Sequence, residues 1–176
     1  MKKIFLLLLF ASASITMHAQ YKLNKGDAQL NAGLGLSTWG IPVYVGFDYG
    51  VHKDISVGGE VSFRSYTDDW HDRGPGPDHD HDYHYHHTIF GISANGNYHL
   101  NTILKIPTQW DLYAGINIGF YAWSYPDDYR GERVSGLGLG AQVGGRYYFN
   151  DNVGINLELG GGNAFDGGKI GISYKF

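Results

Sequence analysis

The chain has 176 residues, enough for one domain, and a formal charge of −4 with neutral histidine, which argues against a nucleic-acid partner. It has no cysteine, so disulfides and a lipid-modified cysteine anchor are excluded. Its 27 glycines and 14 tyrosines alternate within short runs, with no collagen-like period of three, and point to an all-β barrel.

Residues 4–15, IFLLLLFASASI, form a continuous apolar run too short to span a bilayer as a helix. Lys2 and Lys3 precede it and MHAQ follows. This order predicts a secretory signal peptide over residues 1–19, cut after Ala19, and leaves 20–176 as the mature domain. Export removes two lysines and leaves 11 basic against 17 acidic residues, a charge of −6.

Eight runs of period two follow, over 28–36, 41–51, 55–66, 88–100, 110–123, 134–149, 153–160 and 168–176. The first puts Ala28, Leu30, Ala32, Leu34 and Leu36 on one face and Gln29, Asn31, Gly33 and Gly35 on the other. The fifth aligns Trp110, Leu112, Ala114, Ile116, Ile118 and Phe120, and the last Ile170, Ile172, Tyr174 and Phe176. Side chains alternate across a strand, so every run has one apolar and one polar face. The polar face is mostly Gly, Asn, Ser, Gln and Tyr, small enough for a crowded interior, and most charges lie between the runs. Runs of this length with an apolar face throughout predict an eight-stranded antiparallel up-and-down transmembrane β-barrel with its greasy side in lipid.

Position along the strands agrees with that orientation. With the mature N-terminus on the periplasmic side, Tyr49, Tyr98, Trp110, Tyr147, Phe149, Tyr174 and Phe176 fall at one end and Phe63, Phe90 and Phe120 at the other. These are the two aromatic girdles of a membrane barrel. The predicted periplasmic connections are His52–Asp54, Asn101–Thr108 and Asn150–Asn152. The predicted outer loops are Ser37–Gly40, Thr67–His87, Ser124–Arg133 and Asn163–Gly167. Trp39, in the first of these loops, reads as an interface anchor.

The signal peptide, the eight strands and the terminal Ser-Tyr-Lys-Phe resemble the small outer-membrane β-barrel proteins of Gram-negative bacteria, the OmpA/OmpX-like, porin-family class. The resemblance covers residues 28–176 and rests on pattern and on the aromatic C-terminus. It implies a cell-outer-membrane location and a non-enzymatic structural or surface-recognition role. It also implies a monomer in outer-membrane lipid with no required cofactor. Tyr174 and Phe176 would be the C-terminal signal read by the barrel-insertion machinery.

An eight-stranded lumen holds side chains and leaves no wide pore. The expected polar network contains Asp48, Glu60, Arg64, Asp111, Arg146, Glu158 and Lys169, among Asn95, Asn97, His99, Asn117, Gln142, Asn156 and Lys175. By height Arg146 meets Asp48 or Asp111, and Glu60 and Glu158 share Arg64 or Lys169. Buried charges need such partners.

Residues 67–87, TDDWHDRGPGPDHDHDYHYHH, have no helical period. They read as the longest outer loop, its last part able to extend the fourth strand. If it is extended, His84 and His86 share a face, as do His79 and His81. Such His-x-His pairs suit zinc, nickel or copper. Together with His87 and Asp78, Asp80 and Asp82, they make a candidate metal-capture set. The competing readings are a solvated polar loop, and a charge switch as the histidines protonate below roughly pH 6.5.

Three other functions fit parts of the pattern. A lipid A-modifying enzyme would need Ser, His and an acid converging at one rim, drawn from His84, His86, His87, Ser65, Ser124, Ser135 and Asp127. No spacing singles out such a triad, and no catalytic residue is assigned. A soluble lipocalin-like carrier would have the same strand number with inverted polarity. An adhesin would use Trp70, Tyr83, Tyr85, Trp123, Tyr125 and Tyr129 against an extracellular ligand or surface partner.

Overall fold

Eight strands run in chain order around a closed antiparallel barrel, each paired with its neighbours and the last with the first. The computed structural model describes residues 22–37, 40–73, 80–124, 135–162 and 167–176, with 66–73 and 80–87 described by their backbone. The strands are β1 (Ala28–Leu36), β2 (Val43–His52), β3 (Ile55–Arg73), β4 (Asp80–His99), β5 (Trp110–Ser124), β6 (Gly136–Tyr148), β7 (Val153–Gly162) and β8 (Gly167–Lys175). A single helical turn, α1 (Asn101–Leu104), joins β4 to β5. The predicted signal peptide, Trp39, Asp78, His79, Tyr125, Asp127 and Tyr129 lie outside the described residues.

The period-two pattern sets the faces. Leu30, Val45, Phe47, Ile92, Ile116, Ile118, Val143, Leu157 and Ile172 are all exposed on the outside. Their strand neighbours Asn31, Asp48, Asn97, Asn117, Gln142, Arg146 and Ser173 are buried. A lipocalin-like carrier would need the reverse, an apolar cavity and a polar shell, so that reading is overturned. An apolar surface running right round the barrel exceeds the few hundred Å² a soluble monomer usually exposes, and hydrocarbon is the solvent that suits it. Among the described residues no helix is long and apolar enough to cross a membrane; the candidate crossing elements are the strands.

Aromatic side chains cluster at the end with the short connections. Trp110 and Tyr147 are register partners on β5 and β6, with ring centroids 4.8 Å apart. Tyr147 meets Phe149 edge-on at 5.6 Å, and Tyr174 meets Phe176 at 5.1 Å. At the other end Phe63 pairs with Phe90 in the β3–β4 register.

One expectation is corrected at that far end. Residues 67–73 and 80–87 continue β3 and β4, with register held from Ile55↔Tyr98 to Arg73↔Asp80. β3 and β4 therefore reach 19 and 20 residues. The run reads as a loop in sequence because neither face there is apolar, so hydrophobic alternation, the main strand signal, is lost although pairing continues.

At the short-turn end the chain ahead of β1 packs against the barrel. The Gly26 amide donates to the Gly50 carbonyl at 2.8 Å, and the Gly50 amide to the Asp27 carbonyl at 3.0 Å. Leu23 is fully buried. A Cβ on Gly50 would collide with the Asn24 carbonyl, so this contact requires glycine. Lys22 Nζ donates to Asp54 Oδ1 at 2.9 Å and to Thr102 Oγ1 at 3.1 Å, tying the segment to the β2–β3 turn and to α1.

Candidate functional site

The lumen gathers the charged residues that the strands turn inward. Arg146 on β6 donates through Nη2 to Asp48 on β2 at 2.7 Å and through Nη1 to Asp111 on β5 at 3.1 Å. Both carboxylates that the sequence offered as alternatives are thus partners of one guanidinium. Asp48 also accepts from Asn31 Nδ2 at 2.9 Å and Asn95 Nδ2 at 3.1 Å. A planar guanidinium is suited to bridging two carboxylates in this way.

A second ionic group lies nearer the hairpin end. Lys169 Nζ reaches Glu60 at 2.8 Å and Glu158 at 3.1 Å. Glu158 and Lys169 are direct register partners on β7 and β8. Arg64 does not join them. Its Nη1 donates to Ser37 Oγ at 2.8 Å, and its guanidinium lies 5.7 Å from the Tyr121 ring centre. The lysine stands level with both glutamates, whereas Arg64 sits two inward positions farther along β3 than Glu60.

Each inward cation has a tyrosine ring beside it. Arg146 lies 4.3 Å from the Tyr113 ring centre, Lys169 5.4 Å from Tyr44 and Lys175 5.8 Å from Tyr148, completing with Arg64 a set of four cation–π contacts. Three of these tyrosines also span the lumen through their hydroxyls. Tyr44 donates to Asn156 at 2.7 Å, Tyr113 to Glu158 at 2.9 Å, and Tyr148 to Gln29. Among the described residues the lumen thus holds four carboxylates, Asp48, Glu60, Asp111 and Glu158, two of them bridged by Arg146 and two by Lys169, together with Arg64 and Lys175.

Sequence reasoning missed one arrangement. His99 Nδ1 is 2.7 Å from Asp111 Oδ1, and His99 Nε2 is 3.0 Å from Ser56 Oγ. A carboxylate only accepts, so the Nδ1 side of the ring donates. The order Ser–His–Asp is that of a nucleophilic triad. Here Ser56, His99 and Asp111 are each 0% exposed, so no substrate reaches Ser56 Oγ, and the relay braces β3, β4 and β5. Register between the fourth and fifth segments, which puts His99 opposite Tyr113, is the signal that could have found it.

Between the two ionic groups is a polar cavity of about 40 Å³, lined in part by Tyr44, Glu60, Asn95, Asn117, Arg146 and Lys169. This is room for a few waters. Asn117 Oδ1 and Arg146 Nε, which have no protein partner among the described residues, lie on residues that line it.

Of the predicted metal-capture residues, Asp80, His81, Asp82, His84, His86 and His87 have their backbones in β4, opposite Thr67–Arg73 of β3 and Tyr66. Among the described residues outside this ribbon, no group of three or more His, Cys, Asp or Glu is gathered to hold a metal. Tyr174 and Phe176 close the chain at the short-turn end, where the Phe176 amide donates to the Ala28 carbonyl at 2.8 Å.

No protein-family model matches the sequence, and no curated protein matches it. Solved structures do match the fold. The outer membrane protein OprG from Pseudomonas aeruginosa superposes with a TM-score of 0.67 at 12% identity, over 89% of this chain and 98% of that one. The N-terminal β-barrel domain of Pseudomonas aeruginosa OprF gives 0.56 at 15% identity, over 86% and 98%. Ail, the attachment invasion locus protein of Yersinia pestis, gives 0.52 at 14% identity, over 86% and 99%.

Proposed function

We propose that this chain, which has the fold of the small eight-stranded outer-membrane barrels, is a non-enzymatic integral protein of a Gram-negative outer membrane. Its barrel is a closed support and its β3–β4 hairpin a surface module. The observation that carries this reading is the Arg146 bridge from Asp48 to Asp111, which sets paired charge across the lumen between strands on opposite sides. A solvated ion path would need these pairs to part, and breaking a buried pair costs about 3–5 kcal/mol. The apolar outer face and the aromatic end support residence in lipid as a monomer. Planar-bilayer recordings of the purified protein test the reading: no discrete conductance is expected, and regular single-channel steps would overturn it.

The surface role has a finer form, capture of zinc, nickel or copper by the His/Asp-rich hairpin. Its support is the composition of 67–87 and the strand pairing that carries 67–73 and 80–87 beyond the last pairs with β2 and β5. Metal titration of the folded protein in detergent, against a variant with the histidines of 79–87 replaced by alanine, tests it. Equal uptake by both would remove the hairpin from the reading. For assembly, Phe176, with Tyr174, is the residue that the insertion machinery would read. Slower barrel assembly of Phe176→Ala in cells is the expected result, and an unchanged rate would contradict it.

A further inference from the structure

The outer ribbon of β3 and β4 is more than the barrel needs. β2 stops pairing with β3 at Phe63, and β5 stops pairing with β4 at Thr88. β3 and β4 stay in unbroken register to Arg73↔Asp80. Beyond Ser65↔Thr88 the described sheet is therefore two strands wide. At roughly 3.3 Å per residue the ribbon runs on the order of 25 Å past that pair.

Opposed residues of an antiparallel pair share a face, and successive pairs alternate. The register puts Asp69 opposite His84 and His71 opposite Asp82, flanked by Thr67↔His86 and Arg73↔Asp80. These pairs fall on the face that Phe63 and Phe90 occupy lower down. The other face takes Trp70↔Tyr83, Asp68↔Tyr85, Asp72↔His81 and Tyr66↔His87. Alternation thus divides the histidines that composition alone lumps together. One face holds three histidine and three aspartate positions; the other holds two of each beside four Tyr or Trp positions, with its two histidines six residues apart, roughly 20 Å along the strand.

We propose that the juxtaposition of Asp69, His71, Asp82 and His84 is a site for a single divalent transition-metal ion such as zinc. It rests on the metal-capture reading above, keeps Asp82 and His84 of that set and adds Asp69 and His71 from the facing strand. Directly opposed positions lie about 4.5–5.5 Å apart at Cβ and diagonal ones about 7–8 Å, within reach of long side chains. Two histidine and two aspartate positions match the donor types of a four-coordinate site, and imidazole favours zinc, nickel or copper over calcium or magnesium, which take oxygen. His86 extends the donor set along the same face. His81 and His87 are too far apart to share an ion. Because an isolated two-stranded ribbon is marginal in water, an ion held between the strands would also clamp it.

The bland alternative is that these charges only keep the ribbon edges from pairing with another chain. Calorimetric titration of zinc chloride into the full mature protein in detergent separates the cases, with hydrogen exchange of the ribbon amides as a second readout. The wild-type protein is expected to take one equivalent and gain protection over 69–71 and 82–84. His81→Ala/His87→Ala should bind within threefold of wild type. His71→Ala/His84→Ala should lose at least 100-fold in affinity, along with the zinc-induced protection. Unchanged heat-modifiable migration would show that both variants keep the barrel. Equal loss in the two variants, or tight binding by His71→Ala/His84→Ala, would overturn the site and leave metal capture standing. A wild-type protein that takes up no zinc would overturn both.

Discussion

Arg146 and Asp48 stand on strands opposite each other in the eight-strand ring, and the guanidinium crosses the lumen to reach the carboxylate at 2.7 Å. The same guanidinium holds Asp111, so one side chain ties β2, β5 and β6. Arg146→Met is expected to remove the cation that Asp48 and Asp111 share in a buried site, leaving them only Asn31, Asn95 and His99, and to destabilise the barrel by about 3–5 kcal/mol. Urea unfolding in lipid vesicles measures this. A loss below about 1 kcal/mol would mean that the bridge is not what holds these strands together.

Gly144 lies beneath the Tyr113 ring, and a Cβ there would occupy the space of the phenol. Tyr113 is buried and its hydroxyl donates to Glu158. Gly144→Ala should cost about 1–3 kcal/mol through overpacking and displace the hydroxyl from Glu158. Tyr113→Phe in the Gly144→Ala background separates the effects: the crowding loss should persist and the hydrogen-bond loss should vanish. An unfolding free energy for Gly144→Ala equal to wild type would refute the close packing.

The outer face makes a depth-dependent prediction. Ile116 is 72% exposed, midway along β5 between Trp110 and Phe120, whereas Leu137 pairs with Phe120 near the hairpin end. Ile116→Arg should destabilise the barrel in vesicles by about 2–4 kcal/mol, and Leu137→Arg by no more than about 1 kcal/mol. Equal costs would place the bilayer midplane elsewhere.

Asp54 ties the N-terminal segment to the turn end. Its carboxyl is held down at about 2, first by the Thr102 hydroxyl at 2.5 Å and next by Lys22 at 2.9 Å, against burial, which pushes it up. A folded-state value below the ordinary carboxylate range of about 3.9 means that this tie stabilises the fold above that range. The stabilisation is lost as pH falls through about 2. An NMR titration of the Asp54 carboxyl should give a midpoint near that value, and Thr102→Val should move it upward. A wild-type midpoint at the ordinary value would show that the tie is not formed.

Much of this architecture was legible in the residues. Strand β1 has the predicted bounds 28–36, and the inward set from Asp48 to Lys169 follows from period two alone, because lipid outside and a narrow lumen inside impose opposite chemistry on alternate positions. What escaped lacks that contrast. Leu23 is a single apolar residue in a polar stretch and sets no period. The pairing of Arg64 with Ser37 depends on strand stagger, which composition does not encode. The outer halves of β3 and β4 carry Asp and His on both faces, so they read as a loop.

The orientation of the strands is tested most directly by site-directed spin labelling, which the absence of cysteine makes clean. Single cysteines at Ile116, Asn117, Ile118, Gly119 and Phe120, labelled in vesicles, report on access to lipid-soluble oxygen. Ile116, Ile118 and Phe120 are expected to show high accessibility, and Asn117 and Gly119 low accessibility, with a period of two. Oxygen accessibility that is flat along β5, or that peaks at Asn117 and Gly119, would contradict a barrel with its polar residues inside and its apolar residues in lipid.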